Sequence, residues 1–370
     1  MIAVALIPVL LGQAPAPVLP AGGVLVPAET MASPRAAHTL TRLQDGRVLV
    51  AGGMSGSERS AAGSELFDPA TGHFTSAGEM RIPRHSHTAT LLPDGRVLLA
   101  GGYDAGGQVL AEAELYDPND RRFVSAGTMG TARAGHVAVL LADGRVLLVG
   151  GVGEGWIFLA SAELYDPGMG RFLPTGSMHT ARESHVAVRL LDGRVLVVGG
   201  HSGRRGDLRI LADAEAYDPT AGRFAPAGRS AVPRHKHDAL LLDDGRVLVT
   251  GGADRRDSQG VYRSADLYDP ATATFRLAGA MRLPRYKHQG TSVRLPDGRV
   301  LVAGGAARPE VYDPREDTFH LIRGEGNLPG LFSAAAPAGD GEVLITGGYA
   351  EDRGPAAAAW LFRATPASGP

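Results

Sequence analysis

Six arginines stand three residues ahead of six histidines: Arg35 and His38, Arg84 and His87, Arg133 and His136, Arg182 and His185, Arg234 and His237, Arg285 and His288. Imidazole is the commonest metal ligand, so six at one spacing raise the question of a metal ring. A residue recurring once per repeat more often meets a need that every repeat shares, such as satisfying a buried carbonyl. Imidazoles spread around a wide ring would also stand too far apart to share one ion at about 2.0–2.1 Å. No metal and no other cofactor is therefore expected. His85-Ser86-His87 and His235-Lys236-His237 look like metal pairs, since alternate residues of a strand share a face, but no third ligand can be named beside them.

A second repeated set is charged. Arg47, Arg96, Arg145, Arg194, Arg246 and Arg299 each follow an Asp-Gly pair, and Glu65, Glu114, Glu163, Glu215, Asp266 and Glu310 follow about 15 to 20 residues on, a little less before Glu310. In the last repeat the arginines and the acid vanish together, which implies that they are partners. Either Arg84 or Arg96 fits as the partner of Glu114. Such charge-assisted pairs need no ligand. The chain has no cysteine, which removes thiolate metal sites, disulfides and cysteine nucleophiles. It has no Gly-x-Ser-x-Gly elbow, phosphate loop or His-Glu-x-x-His motif.

What must position these residues is a repeat. Double glycines begin at Gly52, Gly101, Gly150, Gly199, Gly251, Gly304 and Gly347, at spacings of 49, 49, 49, 52, 53 and 43 residues. Each follows an Asp-Gly turn and an apolar run, as in Asp94 to Ala100, and six precede a segment such as Glu114-Leu115-Tyr116-Asp117-Pro118. Asp-Gly between apolar runs predicts a two-residue type I′ hairpin. Each unit then reads as four strands: a (His87–Leu92), b (Arg96–Ala100), c from Leu115, and d (Phe123–Ala126). A seventh unit lacks strand d, whereas Leu25 to Met31 matches the d strand of the repeats with nothing before it. The two fragments make one blade.

Four strands per repeat of about 50 residues is the pattern of a kelch propeller blade. The sequence resembles the kelch-repeat family, including the galactose-oxidase-like propeller domain, from about Gly23 to Phe362. The resemblance implies an all-β, seven-bladed propeller of four-stranded antiparallel blades, closed by the N-terminal strand d. Copper enzymes of that family depend on a cysteine-crosslinked tyrosine, which this chain cannot form. Mutarotase- or lyase-like enzymes acting on carbohydrates at the channel mouth also occur on this fold, by analogy alone.

With 51 Gly, 25 Pro and 44% apolar residues in 370, the composition suits a turn-rich β protein with a real core. A net charge of −2 gives no field that would draw nucleic acid. Ile2 to Leu11 reads as a secretory h-region, with small residues at Gly12 and Ala14, so export to the periplasm or outside is expected. Residues 1–16 are then a signal or tail, 17–22 a linker, and 23–366 one propeller, expected to be monomeric and without a membrane span.

In such blades the ab and cd turns share one face, and the bc and da loops the other. Length varies in the bc loops: 12, 12, 12, 15, 14 and 5 residues from the second glycine to the strand c acid. Variable loops on a rigid scaffold are where binding usually resides. The expected function is a non-enzymatic module that recognises a protein or glycan on this face. Trp156 and Phe158 are candidate anchors. The short loop of blade six predicts a notch walled by Tyr262 and Arg263 on one side and by Tyr349 to Arg353 on the other. Arg285, Tyr286 and Lys287 would form its floor, with Arg308 in the short loop itself.

Overall fold

A computed structural model of the chain describes residues 22–56, 59–204, 207–324, 326–349 and 353–365. The expected signal and most of the linker lie outside these residues, as do parts of three bc loops. Seven sheets stand around a central channel. Blade two is representative: strands a (Thr88–Leu91), b (Val97–Ala100), c (Glu112–Asp117) and d (Arg122–Thr128) pair antiparallel in that order. Among the described residues no helix is long and apolar enough to cross a membrane.

The ab turns depart from the expected type I′ hairpin. Leu92 N–H donates to Arg96 O (2.8 Å) and Gly95 N–H to Leu92 O (3.0 Å), so three residues form the loop. Only the glycine of each Asp-Gly pair has positive φ (Gly95, +89°). This is a type I turn followed by a left-handed residue. The aspartate acts as a clamp: Asp94 accepts from the Arg96 N–H (3.0 Å) and from its Nε (2.8 Å).

That clamp also settles which arginine meets the strand c acid. Arg84 Nη2 lies 2.8 Å from Glu114 Oε1, and its Nη1 donates to the carbonyls of Gly101 and Glu112 at 2.9 Å. Glu114 also accepts the N–H groups of Arg81 and Ile82, which pins the incoming da loop. The unit recurs as Arg35–Glu65, Arg133–Glu163, Arg182–Glu215, Arg234–Asp266 and Arg285–Glu310, all inside the protein.

The core is not one mass but seven apolar layers, one at each junction between blades. Leu49, Ala51 and Leu66 of blade one meet Val97, Leu99 and Tyr116 of blade two, and the pattern repeats around the ring. The double glycine and the histidine belong to the same junctions. A Cβ on Gly150 would stand 2.7 Å from the His185 ring and 2.8 Å from the Arg182 carbonyl of the next blade. His38 Nε2 is 2.7 Å from Thr346 Oγ1 and His136 Nε2 is 3.1 Å from Thr88 Oγ1, each reaching back one blade. His38, His87, His136 and His288 are thus hydrogen-bonded staples between blades, and His185 and His237 are buried at the same place in theirs.

Blade seven is closed as expected. Val24–Pro27 pairs antiparallel with Ala359–Arg363, placing Leu25 opposite Phe362. A further short strand, Arg323–Gly324 from blade six, pairs parallel to Val24–Leu25 on the outside. Arg308 Nη1 holds the Gly324 carbonyl at 3.0 Å. The seam is thus clamped from both sides.

Candidate functional site

The two residues between each repeated Arg and His form the mouth of the channel on the bc/da face. The second of them is left-handed in every blade: Ala37, Ser86, Gly135, Ser184, Lys236 and Lys287, with Phe332 at the same place in blade seven, all at φ between +51° and +59°. Ser86 N–H donates to Ala37 O (3.2 Å), Gly135 to Ser86 (3.1 Å), Lys236 to Ser184 (3.0 Å), Lys287 to Lys236 (2.8 Å), Phe332 to Lys287 (2.9 Å) and Ala37 to Phe332 (3.0 Å). These six bonds make a backbone collar. At the seventh junction, from Ser184 to Gly135, the bond is missing. There the carboxyl of Glu183 lies over Gly135, where a Cβ would come within 2.6 Å of Oε1.

The turned residue also separates the His-x-His pairs. His85 stacks on Tyr103 (ring centroids 5.3 Å apart), whereas His87 turns to Thr39 Oγ1 at 3.3 Å. They do not share a face, because Ser86 breaks the strand alternation.

Above the collar opens a cavity of about 640 Å³. Blades one to three contribute small collar residues and Trp156, the charged groups sit on blades four to six, and blade seven adds Phe332. Glu183 accepts from Ser184 Oγ at 2.9 Å and faces His201 Nε2 at 3.3 Å. Burial pushes the Glu183 carboxyl up to about 7, against the pull of the Ser184 hydrogen bond and the Lys236 and Arg204 charges. Burial, with the Glu183 charge, raises Tyr103 to about 12. Burial, with the charges of His235 and Lys236, drops His201 to about 3, so its imidazole is neutral at physiological pH. Lys236 Nζ donates to both oxygens of Asp257 (2.9 and 2.8 Å). Lys287 Nζ donates to the Tyr349 hydroxyl at 3.0 Å. Trp156, half exposed, carries the Arg204 guanidinium 3.4 Å above its ring, and Phe332 lies elsewhere on the lining.

The residues singled out by sequence divide between two places. Trp156 and Lys287 line the mouth, Phe158 packs edge-on against His201 behind it (5.3 Å), and Tyr349 supports Lys287. The blade-six notch exists as a separate cavity of about 830 Å³, with Tyr286 and Arg353 on its walls over the backbone of Gly305 to Ala307. Tyr262 and Arg263 do not line it; Tyr262 lies near the buried Arg234 guanidinium instead (5.7 Å). Arg285 is wholly buried on Glu310, and Arg308 is spent on the blade-seven seam. Sequence reasoning missed Glu183, His201, Lys236 and Phe332 as a group. The signal for Glu183 and Lys236 was the pair of varying residues inside an otherwise constant Arg-x-x-His repeat; His201 follows the double glycine of blade four, and Phe332 stands in blade seven, where Gly330 and Ser333 replace the Arg and His.

Residues 184–228 match the kelch motif. The fold is similar to that of a fungal alcohol oxidase of the AA5 family in complex with copper, with a TM-score of 0.70, 17% sequence identity, and coverage of 93% of this chain and 76% of that one. No curated protein matches the sequence. The molecule is a seven-bladed β-propeller that carries a kelch motif in blade four and shares its fold with an alcohol oxidase of the AA5 family.

Proposed function

We propose that this propeller binds a hydroxyl-rich ligand, a glycan terminus, in the mouth of its channel on the bc/da face. One observation carries the reading: the polar groups left over from building the ring converge with Trp156 and Phe332 on one cavity of a size typical of small-ligand sites. A protein partner would favour a contiguous apolar patch. The exposed large apolar residues are instead scattered. Met169 and Leu191 lie in turns of the opposite face, Leu277 and Leu321 on outer strands, and Trp156 and Ile157 at the mouth.

The copper chemistry of the structural neighbour does not fit these residues. The chain has no cysteine, and among the described residues no three His, Cys, Asp or Glu converge to hold an ion. His201 Nε2 is engaged by Glu183, and His235 Nε2 by the Asp254 carbonyl at 3.3 Å. A second reading, catalysis on the same ligand class, draws on Glu183: a carboxyl near 7 beside a cavity suits proton transfer.

The test uses the two tryptophans. Trp360 is buried in blade seven and Trp156 stands at the mouth, so fluorescence changes on titration with oligosaccharides report on the mouth. The expected result is a saturable change, lost in Trp156→Phe, with affinity at least tenfold weaker in Phe332→Ala by calorimetry. No response to any oligosaccharide, with a protein captured on the same face, would overturn the reading. Chemical change of a bound sugar, abolished in Glu183→Gln while binding persists, would establish the catalytic reading instead.

A further inference from the structure

This inference rests on the glycan reading of the mouth and names the class of glycan. We propose that the ligand carries a carboxylate and that Lys287 binds it. Among the described residues three cations stand at the mouth: Lys236 is neutralised by Asp257, Arg204 has one face of its guanidinium covered by Trp156, and Lys287 is the third. Lys287 has no carboxylate partner among the described residues. Among the described residues its Nζ makes one hydrogen bond, to the Tyr349 hydroxyl, and lies 5.1, 5.3 and 5.5 Å from the ring centroids of Tyr286, Phe332 and Tyr349.

An ammonium has three N–H donors, so two remain for a ligand. The aromatic rings stabilise the charge without cancelling it, as cation–π contacts do. The main chain of Lys287 is fixed as well: it is left-handed at φ +53°, and its N–H and C=O are both bonded within the collar. The cation is therefore held in place before any ligand arrives, which lowers the ordering cost of binding. The charge at the mouth selects a monoanion. Asp257 is close enough to feel the Lys287 charge, and Glu183 lines the same cavity. A phosphate dianion would face both acids with twice the charge of a carboxylate.

The experiment compares glucose-terminated and glucuronate-terminated disaccharides, with inorganic phosphate as a third probe, by calorimetry on the full chain. The expected result is at least tenfold tighter binding of the glucuronate, weakened by salt, with phosphate weaker still. Lys287→Met should bind both sugars with the affinity of the glucose form, and Lys287→Arg should keep most of the preference. Melting temperatures within a few degrees of the parent establish that both variants fold, and Lys287→Gln replaces either that does not. Equal binding of the two sugars leaves the glycan reading standing and ends this inference, as does a preference that survives in the Met variant. Phosphate binding as tight as glucuronate overturns the carboxylate class. If neither sugar binds, the glycan reading falls and this inference with it.

Discussion

Blades one to six each contain a buried arginine whose charge is met by an acid and two carbonyls, and that geometry fixes what removing the acid does. Glu114 is the shared acceptor of the Arg84 guanidinium and of two da-loop amides. Glu114→Ala leaves a fully buried cation without its counter-charge and two N–H groups without their acceptor, a situation that costs about 3–5 kcal/mol. Urea unfolding should show that loss, with oligosaccharide affinity unchanged because Glu114 does not line the mouth cavity. A loss below about 1 kcal/mol would mean that Arg84 finds another partner. The sequence narrowed the partner to two arginines and could not choose, since both lie on neighbouring strands. The choice is made by Asp94, two residues before Arg96, which captures that side chain first.

At the scale of strands and turns, most of the architecture was legible because the repeat copies it seven times. Blade count, strand order and the shared blade follow from double glycines, Asp-Gly turns and a displaced strand d. Turn geometry was less legible, because an Asp-Gly pair serves a two-residue and a three-residue loop alike, and the Asp–Arg clamp decides between them. The mouth was legible only in part. Its residues vary from blade to blade, and the left-handed turn that aims them cannot be told from an ordinary strand approach when the residue is Ser or Lys rather than Gly. The seam makes a direct prediction. Leu25 is buried against Ile322, Trp360 and Phe362, so Leu25→Ala should cost about 2–5 kcal/mol. Deleting residues 1–31 exposes the edge of Ala359–Arg363 and should cause aggregation visible by light scattering. A soluble deletion variant with the parent melting temperature would contradict the shared blade.

For the whole molecule, the six buried histidines set a limit at acid pH. Burial lowers His38, His185 and His288 to about 3, and pushes His87, His136 and His237 well below their ordinary value. In the unfolded chain the same imidazoles take up protons near pH 6.5. Below that pH the unfolded state binds more protons, so stability is full above about 6.5 and is lost as pH falls. Each imidazole contributes about 1.4 kcal/mol per pH unit, and six together match the stability of a typical domain within roughly two units. Acid titration followed by circular dichroism should show cooperative unfolding near pH 4.5, and a ring still intact at pH 3.5 would contradict it.

The seam also decides how the ring responds to force. Val24 pairs with Arg363 and Pro27 with Trp360, so both chain ends leave the ladder at the same edge. Tension applied through the two ends loads those hydrogen bonds one after another, as a zipper is opened, rather than all at once as in a sheared pair. Blade seven should therefore part at low force in a single-molecule pulling experiment. The other six blades, with all four strands continuous in the chain, should come apart afterwards as an open arc that has lost its closure.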